Sequence, residues 1–196
     1  MKYLLFRLLP ALAIIIAFSG RALAGDDGKI QLVITGGHET DPRDHGRPVI
    51  LIGNALGVTP DVFREAFRHV KPAPAGEQPD PEQVRRNKAA LLKMLGPYRV
   101  TNELLDQVST YYRYRPGSGT LWPTTPAVAF VTLTNGMLAS IVIAQPGSGY
   151  CSPPKLSVPG HPEISLTPTL AFGRDVNSNG SLVSVTVGNA EPLDAH

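Results

Sequence analysis

The chain has 196 residues, of which 42% are hydrophobic and one is a cysteine, and its formal net charge is +2. This composition is that of a globular protein with a sizeable core, and it excludes a disordered chain and an internal disulfide framework. Without Lys2, Arg7 and Arg21, which lie in the segment described next, 15 basic residues stand against 16 acidic ones. The remainder is therefore close to neutral, which argues against a nucleic-acid partner.

Residues 1–24 have the features of a secretory signal peptide. Lys2 and Arg7 give a positive start, residues 8–18 are almost wholly apolar, and residues 22–24 form the small-x-small pattern that signal peptidase cleaves. The apolar run has roughly half of the ~20 residues needed to cross a bilayer. We therefore expect cleavage after Ala24, a secreted or periplasmic protein, and no membrane span in the mature chain.

Residues 25–115 are predicted to form a helical domain with one short N-terminal strand, over 30–35. Capping residues and prolines place the starts of four helices at Pro48, Thr59, Asp80 and Thr101. Gly57 is predicted to stop the first helix, and Gly96 with Pro97 the third. Residues 55–63 align with residues 94–105, with three residues inserted, so the helices are predicted to be two copies of one hairpin.

Residues 116–196 change to a period of two and are predicted to form an antiparallel β module. Two alternating runs flank Asn135-Gly136, which is a strong hairpin sequence. Residues 125–143 partly recur over 167–187, so the module contains about one and a half repeats. Together the two halves predict an α+β protein, a small four-helix part followed by a small antiparallel β part.

Two parts of the sequence resemble known groups of proteins. Residues 134–143, Pro-Gly-Ser-Gly-Tyr at 146–150 and Ser-Pro-Pro at 152–154 resemble the Asn-Gly, Gly-Ser-Gly-Tyr β-repeats of bacterial secreted and phage structural proteins. That resemblance implies a scaffold. Gly-Gly-His-Glu-Thr-Asp-Pro-Arg-Asp at 36–44, continuing through the first two helices and 110–114, is similar to a group of uncharacterised exported bacterial proteins. Neither resemblance implies a catalytic residue.

The densest group of chemically active side chains follows the first strand, at His38, Glu39, Asp41, Asp44 and His45. Two imidazoles and several carboxylates could hold zinc with an open position for water. The spacing, however, does not match the His-Glu-x-x-His helix of metalloproteases. Asp41 and Asp44 are equally typical of turn and cap residues at the start of a helix.

A second metal-site hypothesis concerns Asp175, Asn177 and Asn179, which precede Gly180 as oxygen ligands precede the glycine of a calcium loop. Thr186 stands where such a loop needs a bidentate glutamate. Alignment of Asn179-Gly180 with Asn135-Gly136 favours a plain hairpin instead.

A third set of candidates, Tyr114, Arg115 and Trp122, could stack on sugar rings or peptidoglycan, although core packing is the more usual role of such aromatic residues. The single Cys151 is interpreted as a half-buried small hydrophobe beside Tyr150 rather than a nucleophile, because no motif ties a histidine or an acid to it.

From these observations we expect a non-catalytic binding or structural module of the periplasm or cell exterior. Its partner would be an extracytoplasmic protein or polysaccharide. For such a module we expect no cofactor. Zinc is expected only if residues 38–45 form a metal site, and calcium only if residues 175–179 do. The alternative is a metal-dependent hydrolase that acts on an extracellular or cell-wall polymer through the residues at 38–45.

Overall fold

A computed structural model describes residues 28–71, 80–113 and 120–188. Within them the protein is an α+β fold with four α-helices and seven short strands, all paired antiparallel, and most of the strands follow the helices in the chain. The predicted signal peptide lies outside the described residues. No helix among those that are described has the length and apolar character needed to cross a membrane.

The four helices begin where their capping residues predict. They are α1 Val49–Leu56, α2 Pro60–Phe67, α3 Pro81–Leu95 and α4 Asn102–Tyr111. The side chains of Thr59, Asp80 and Thr101 each accept a hydrogen bond from a backbone N–H in the first turn of α2, α3 and α4. These bonds satisfy N–H groups that have no partner within the helix.

The first helix of each hairpin, α1 and α3, ends in a different way. Gly57 takes the left-handed conformation after α1, with φ 76°, as predicted. Gly96 does not, because α3 continues into a short 3-10 helix, Gly96–Tyr98, and the left-handed residue is Arg99 with φ 65°. The three residues inserted in the second copy therefore move the stop from a glycine to an arginine.

The strands form three small sheets. They are β1 Lys29–Gln31, β2 Val33–Thr35, β3 Val128–Thr134, β4 Met137–Gln145, β5 Lys155–Ser157, β6 Leu166–Ala171 and β7 Ser181–Val187. The sheet orders are β1-β3-β4, β2-β5 and β6-β7. The β3–β4 hairpin turns at Asn135 and Gly136, whose φ angles of 52° and 76° are those of the predicted tight turn.

The N-terminal strand segment joins the β module rather than the helices. It changes sheet at Leu32, which is buried and donates its N–H to the Ala129 carbonyl at 2.9 Å. On one side β1 pairs with β3, and on the other β2 pairs with β5. The sequence assigned this strand to residues 25–115, yet its hydrogen-bond partners all lie beyond residue 115.

The second β repeat has a different connection from the first. Residues 172–180 link β6 to β7, so Asn179 and Gly180 do not close a two-residue turn as Asn135 and Gly136 do. Asn179 lies outside the positive-φ region and is buried, with 1% of its surface exposed. The connection instead packs Val176 and Phe172 against the helices.

Three groups of buried side chains hold these elements together. The largest lies among the helices and includes Trp122 and Val176 from the β half. The other two lie between strands, around Val131 and around Leu182. Because the helical core takes side chains from the β half, the two halves pack against one another directly.

Candidate functional site

The candidate residues at 38–45 fall into two different environments. Asp41 caps a short 3-10 helix, Pro42–Asp44, by accepting a hydrogen bond from the Arg43 N–H at 2.9 Å. The same carboxylate pairs with the Arg43 guanidinium. These bonds from Arg43 lower the pKa of Asp41 to about 2. His45 follows in the left-handed conformation, φ 49°. Asp41 thus has the cap role that its position suggested, whereas the Asp44 side chain caps no helix.

Arg64 of α2 binds the buried acid of this segment. Its guanidinium makes two hydrogen bonds to the Asp44 carboxylate, at 2.7 and 2.8 Å, and one to Asp61 at 2.8 Å. Asp41 lies within 3.4 Å of the same guanidinium. Asp44 is 5% exposed, and the Arg64 guanidinium gives this buried carboxylate a charged partner. These carboxylates, Asp44 foremost, raise the pKa of Arg64.

A groove of about 750 Å³ lies between the 43–47 segment and α2, and we call it the arginine groove. Its volume falls in the range of about 300–1,000 Å³ that is typical of small-ligand sites. Arg43, Arg47, Arg64 and Arg68 line it, together with Asp44, Asp61, Glu65 and Phe67. Asp61, Arg64, Glu65 and Arg68 share one face of α2 because their spacing is three or four residues.

Arg47 occupies a distinctive position in the arginine groove. Its guanidinium carbon lies 4.6 Å from the centre of the Phe67 ring, and one N–H donates to the Asp44 carbonyl at 3.4 Å. In the described part of the chain no carboxylate pairs with it. Arg47 also borders two smaller cavities, of about 320 and 220 Å³. It is thus a cation held by an aromatic ring and open to a ligand.

His38 and Glu39 face the β module. The His38 ring lies 5.2 Å from the ring of Tyr150 and 6.2 Å from that of Trp122. Its Nδ1 is buried without a hydrogen-bond partner, and burial lowers the pKa of His38. The Glu39 carboxylate accepts hydrogen bonds from the Gly37 N–H at 2.9 Å and the Ser152 hydroxyl at 2.5 Å. Glu39 therefore closes a loop onto the segment after Tyr150.

The loop at 175–179 uses its polar side chains internally. Asp175 accepts hydrogen bonds from the Asn177 N–H and the Ser178 hydroxyl, which lower the pKa of Asp175. The Asn179 amide donates to the Leu51 carbonyl at 2.8 Å and to the Tyr112 hydroxyl at 3.0 Å. Its oxygen accepts from the Gly173 N–H at 3.1 Å. Asn179 thus connects the second β repeat with α1 and the end of α4.

The remaining candidates lie apart from the arginine groove or outside the described residues. Trp122 is 5% exposed and donates its indole N–H to the Gly149 carbonyl, so it offers little surface to a sugar ring. Tyr114 and Arg115 lie outside the described residues. Cys151 borders the 320 Å³ cavity, and burial raises the pKa of its thiol to about 12, which keeps it protonated.

No sequence motif identified Arg43, Arg47 or Arg64, which line the groove, as candidate site residues. The spacing of Asp61 and Arg64 indicates a helical ion pair, but nothing in the sequence shows that Asp44, 20 residues away, turns toward Arg64. Among residues 28–71, 80–113 and 120–188, no group of three or more His, Cys, Asp or Glu is placed to hold a metal ion.

Comparison of this chain with protein-family models, with curated proteins and with solved structures finds no match. The candidate site therefore rests on its own geometry.

Proposed function

We propose that this protein is a non-catalytic ligand-binding module that works in the periplasm or outside the cell, and that the arginine groove is its binding face. The observation that carries the proposal is the groove itself, whose volume suits a small ligand or one segment of a polymer. The export part of the proposal rests on the signal peptide features of residues 1–24.

The pairing of charges around the groove favours binding over proton-transfer catalysis. Asp44 and Asp61 pair with Arg64, and Glu65 pairs with Arg68. These guanidinium hydrogen bonds hold the carboxylates in place, whereas a general acid or base must be free to exchange a proton with the substrate. What such a network does provide is a rigid wall, because Arg64 is fixed from several sides before a ligand arrives.

The hydrolase alternative draws no support from the positions of its residues. His38 and Glu39 bond or pack toward Tyr150 and Ser152, whereas Asp41 and Asp44 bond to arginines. We therefore keep a single candidate function.

Protein NMR titration with a panel of soluble probes tests the proposal. The probes are neutral and acidic oligosaccharides, muropeptides released from peptidoglycan, and short peptides. We expect at least one probe to shift the amide resonances of residues 43–47 and 61–68, and to be recovered uncleaved by mass spectrometry. Shifts confined to another surface, cleavage of the bound probe, or no binding by any probe would contradict the proposal.

A metal-content arm tests the alternative on the same sample. We expect elemental analysis to find no stoichiometric zinc or calcium, and EDTA to leave the melting temperature unchanged within about 1 °C. Zinc that is lost in a His38→Ala variant would support the hydrolase instead. Calcium-dependent melting that disappears in an Asp175→Ala variant would show that the 175–179 loop binds calcium.

A further inference from the structure

Among the residues that the structure describes, one arginine of the arginine groove has no carboxylate partner. Of the four arginines that line it, Arg43 pairs with Asp41, Arg64 with Asp44 and Asp61, and Arg68 with Glu65. For Arg47 the described residues supply one carbonyl bond and the Phe67 ring. A guanidinium has five N–H donors in a planar fork. Most of those of Arg47 therefore have no partner in the described part of the chain.

Such a guanidinium is suited to one kind of group. Contact with the Phe67 ring and the bond to the Asp44 carbonyl restrict the Arg47 side chain, so its remaining N–H donors lose less entropy on binding. The planar fork matches a carboxylate, which accepts two parallel hydrogen bonds. Since Arg47 borders the arginine groove and two adjoining cavities, a ligand in the groove can present such a group to it.

Two acids of α2 that also line the groove determine what else the ligand can carry. The side chains of Asp61 and Glu65 are 84% and 51% exposed, and both are on the groove. Asp61 is paired with Arg64 and Glu65 with Arg68, but each carboxylate has further oxygen lone pairs. They accept hydrogen bonds from hydroxyl groups. One carboxylate flanked by several hydroxyls is the chemistry of a sugar acid.

We infer that the arginine groove binds an acidic saccharide, with the carboxylate of a uronic-acid residue on Arg47 and neighbouring hydroxyls on Asp61 and Glu65. This inference rests on the proposed function, since it names the ligand class of the same groove. It assigns Arg47 as the anchoring residue, and it assigns Phe67 the role of holding the Arg47 side chain in place.

Isothermal titration calorimetry with trimers of galacturonate, glucuronate and mannuronate tests the inference on the purified protein. We expect at least one trimer to bind, and its methyl ester, which keeps the ring and loses the charge, to bind at least about tenfold more weakly. An Arg47→Gln variant should lose at least about tenfold in affinity, and Arg47→Lys should lose less because it keeps the charge without the fork.

Matched controls separate anchoring from general charge and from folding. Arg85 is an exposed arginine of α3 outside the groove, so Arg85→Gln removes the same charge and should bind within about twofold of the wild type. Thermal melts check that the Arg47 variants are folded. If Arg47→Gln does not fold, the ester comparison on the wild-type protein still decides the question.

Four results would overturn the inference. They are equal binding of acid and ester, no loss in a folded Arg47→Gln variant, tighter binding of a triglutamate peptide than of any uronate trimer, and no binding by any of the three trimers. Groove binding of a neutral oligosaccharide alone would overturn this inference and leave the proposed function standing. If no probe shifts the amide resonances of the groove residues, both the inference and the proposed function are overturned.

Discussion

Asn179 is a single buried amide that connects three parts of the chain. Its two N–H donors reach α1 and Tyr112, and its oxygen reaches the β6–β7 connection. Burial raises the pKa of the Tyr112 phenol to about 12, and the hydrogen bond with Asn179 opposes this to a smaller extent, so the hydroxyl stays protonated. Buried polar groups that lose their partner destabilise a fold more than a formed hydrogen bond stabilises it. Asn179 should therefore be among the most sensitive positions.

An Asn179→Ala variant tests this role. We expect it to lower the free energy of unfolding by about 2–3 kcal/mol, because it leaves buried groups on both halves without their partner. Urea denaturation monitored by circular dichroism measures the change. Asn177→Ala is the matched control, since Asn177 is exposed and bonds only within its own loop, and it should cost less than about 1 kcal/mol. Equal effects at the two positions would show that Asn179 has no special role.

His38 predicts how stability depends on pH between neutral and mildly acid conditions. Burial lowers the pKa of His38 from 6.5, and the nearby charge of Glu39 opposes this to a smaller extent. Above the unfolded pKa both states are neutral, so His38 has no effect. Below it the unfolded chain takes up a proton that the folded protein resists, and stability falls. The carboxylates act at lower pH, because hydrogen bonds lower the pKa of Glu39 and Asp41.

We therefore expect the urea concentration at the unfolding midpoint to decrease as the pH is lowered from 7.5 to 5.5, before the carboxylates titrate. A His38→Phe variant, which keeps a ring between Tyr150 and Trp122, should lose most of that fall. His69→Gln removes an exposed histidine and should keep it. If His38→Phe retains the full pH dependence, His38 is not its source.

At the scale of elements, the Gly-Ser-Gly-Tyr segment joins the two β repeats. Ser148 exchanges two backbone hydrogen bonds with Thr125, at 2.9 and 3.0 Å. The next two residues donate their N–H groups to the carbonyls of Asn179 and Gly180. Gly180 has φ 69°, and a Cβ there would collide with the Tyr150 carbonyl. The scaffold role that the β-repeat resemblance implied remains an expectation, and these contacts are the ones on which it would depend.

Gly180→Ala and Gly136→Ala together test the importance of this close approach. Both glycines have positive φ, 69° and 76°, but a Cβ at Gly136 meets no atom within 4 Å. Gly136→Ala should cost about 1–2 kcal/mol from backbone strain alone. Gly180→Ala should cost clearly more, because the backbone of residue 150 must also move. Chemical denaturation of the two variants measures the difference, and similar losses would mean that the segments do not pack this closely.

At the scale of the whole molecule, the helical and β parts depend on each other. In the described part of the chain, β1 and β2 pair with strands beyond residue 115, and Trp122 and Val176 belong to the helical core. A division into independent domains at 115 would expose these apolar side chains and leave the backbone groups of β1 and β2 without partners.

We expect a fragment of residues 25–115 to lack a cooperative unfolding transition when it is produced alone. The longer chain of residues 25–196 should have one. Far-UV circular dichroism during urea titration measures this. A cooperative transition and well-dispersed NMR resonances for the fragment would instead establish residues 25–115 as an independent domain.

Local chemistry was enough to predict the four helices and the first β hairpin of this protein. Thr59, Asp80 and Thr101 cap helices where the sequence places them, and Asn135-Gly136 closes its hairpin. These features depend on a few neighbouring residues and on steric preferences of the backbone, so they can be predicted without knowledge of the tertiary structure. The α+β class follows from the same periodicities. The conformation at the equivalent Asn179-Gly180 could not be predicted from the sequence, because the hydrogen-bond partners of Asn179 lie about 70 and 130 residues away.

Tertiary structure alone decided which of the reactive side chains meet. The five candidates at 38–45 are neighbours in sequence, but His38 and Glu39 turn toward the β module while Asp41 and Asp44 turn toward α2. The arginine groove depends on Asp44 and Arg64 being brought together over 20 residues, and on Arg47 lying across Phe67. Sequence fixes local geometry through short-range sterics, whereas long-range pairs form only where packing of the core brings their elements into contact.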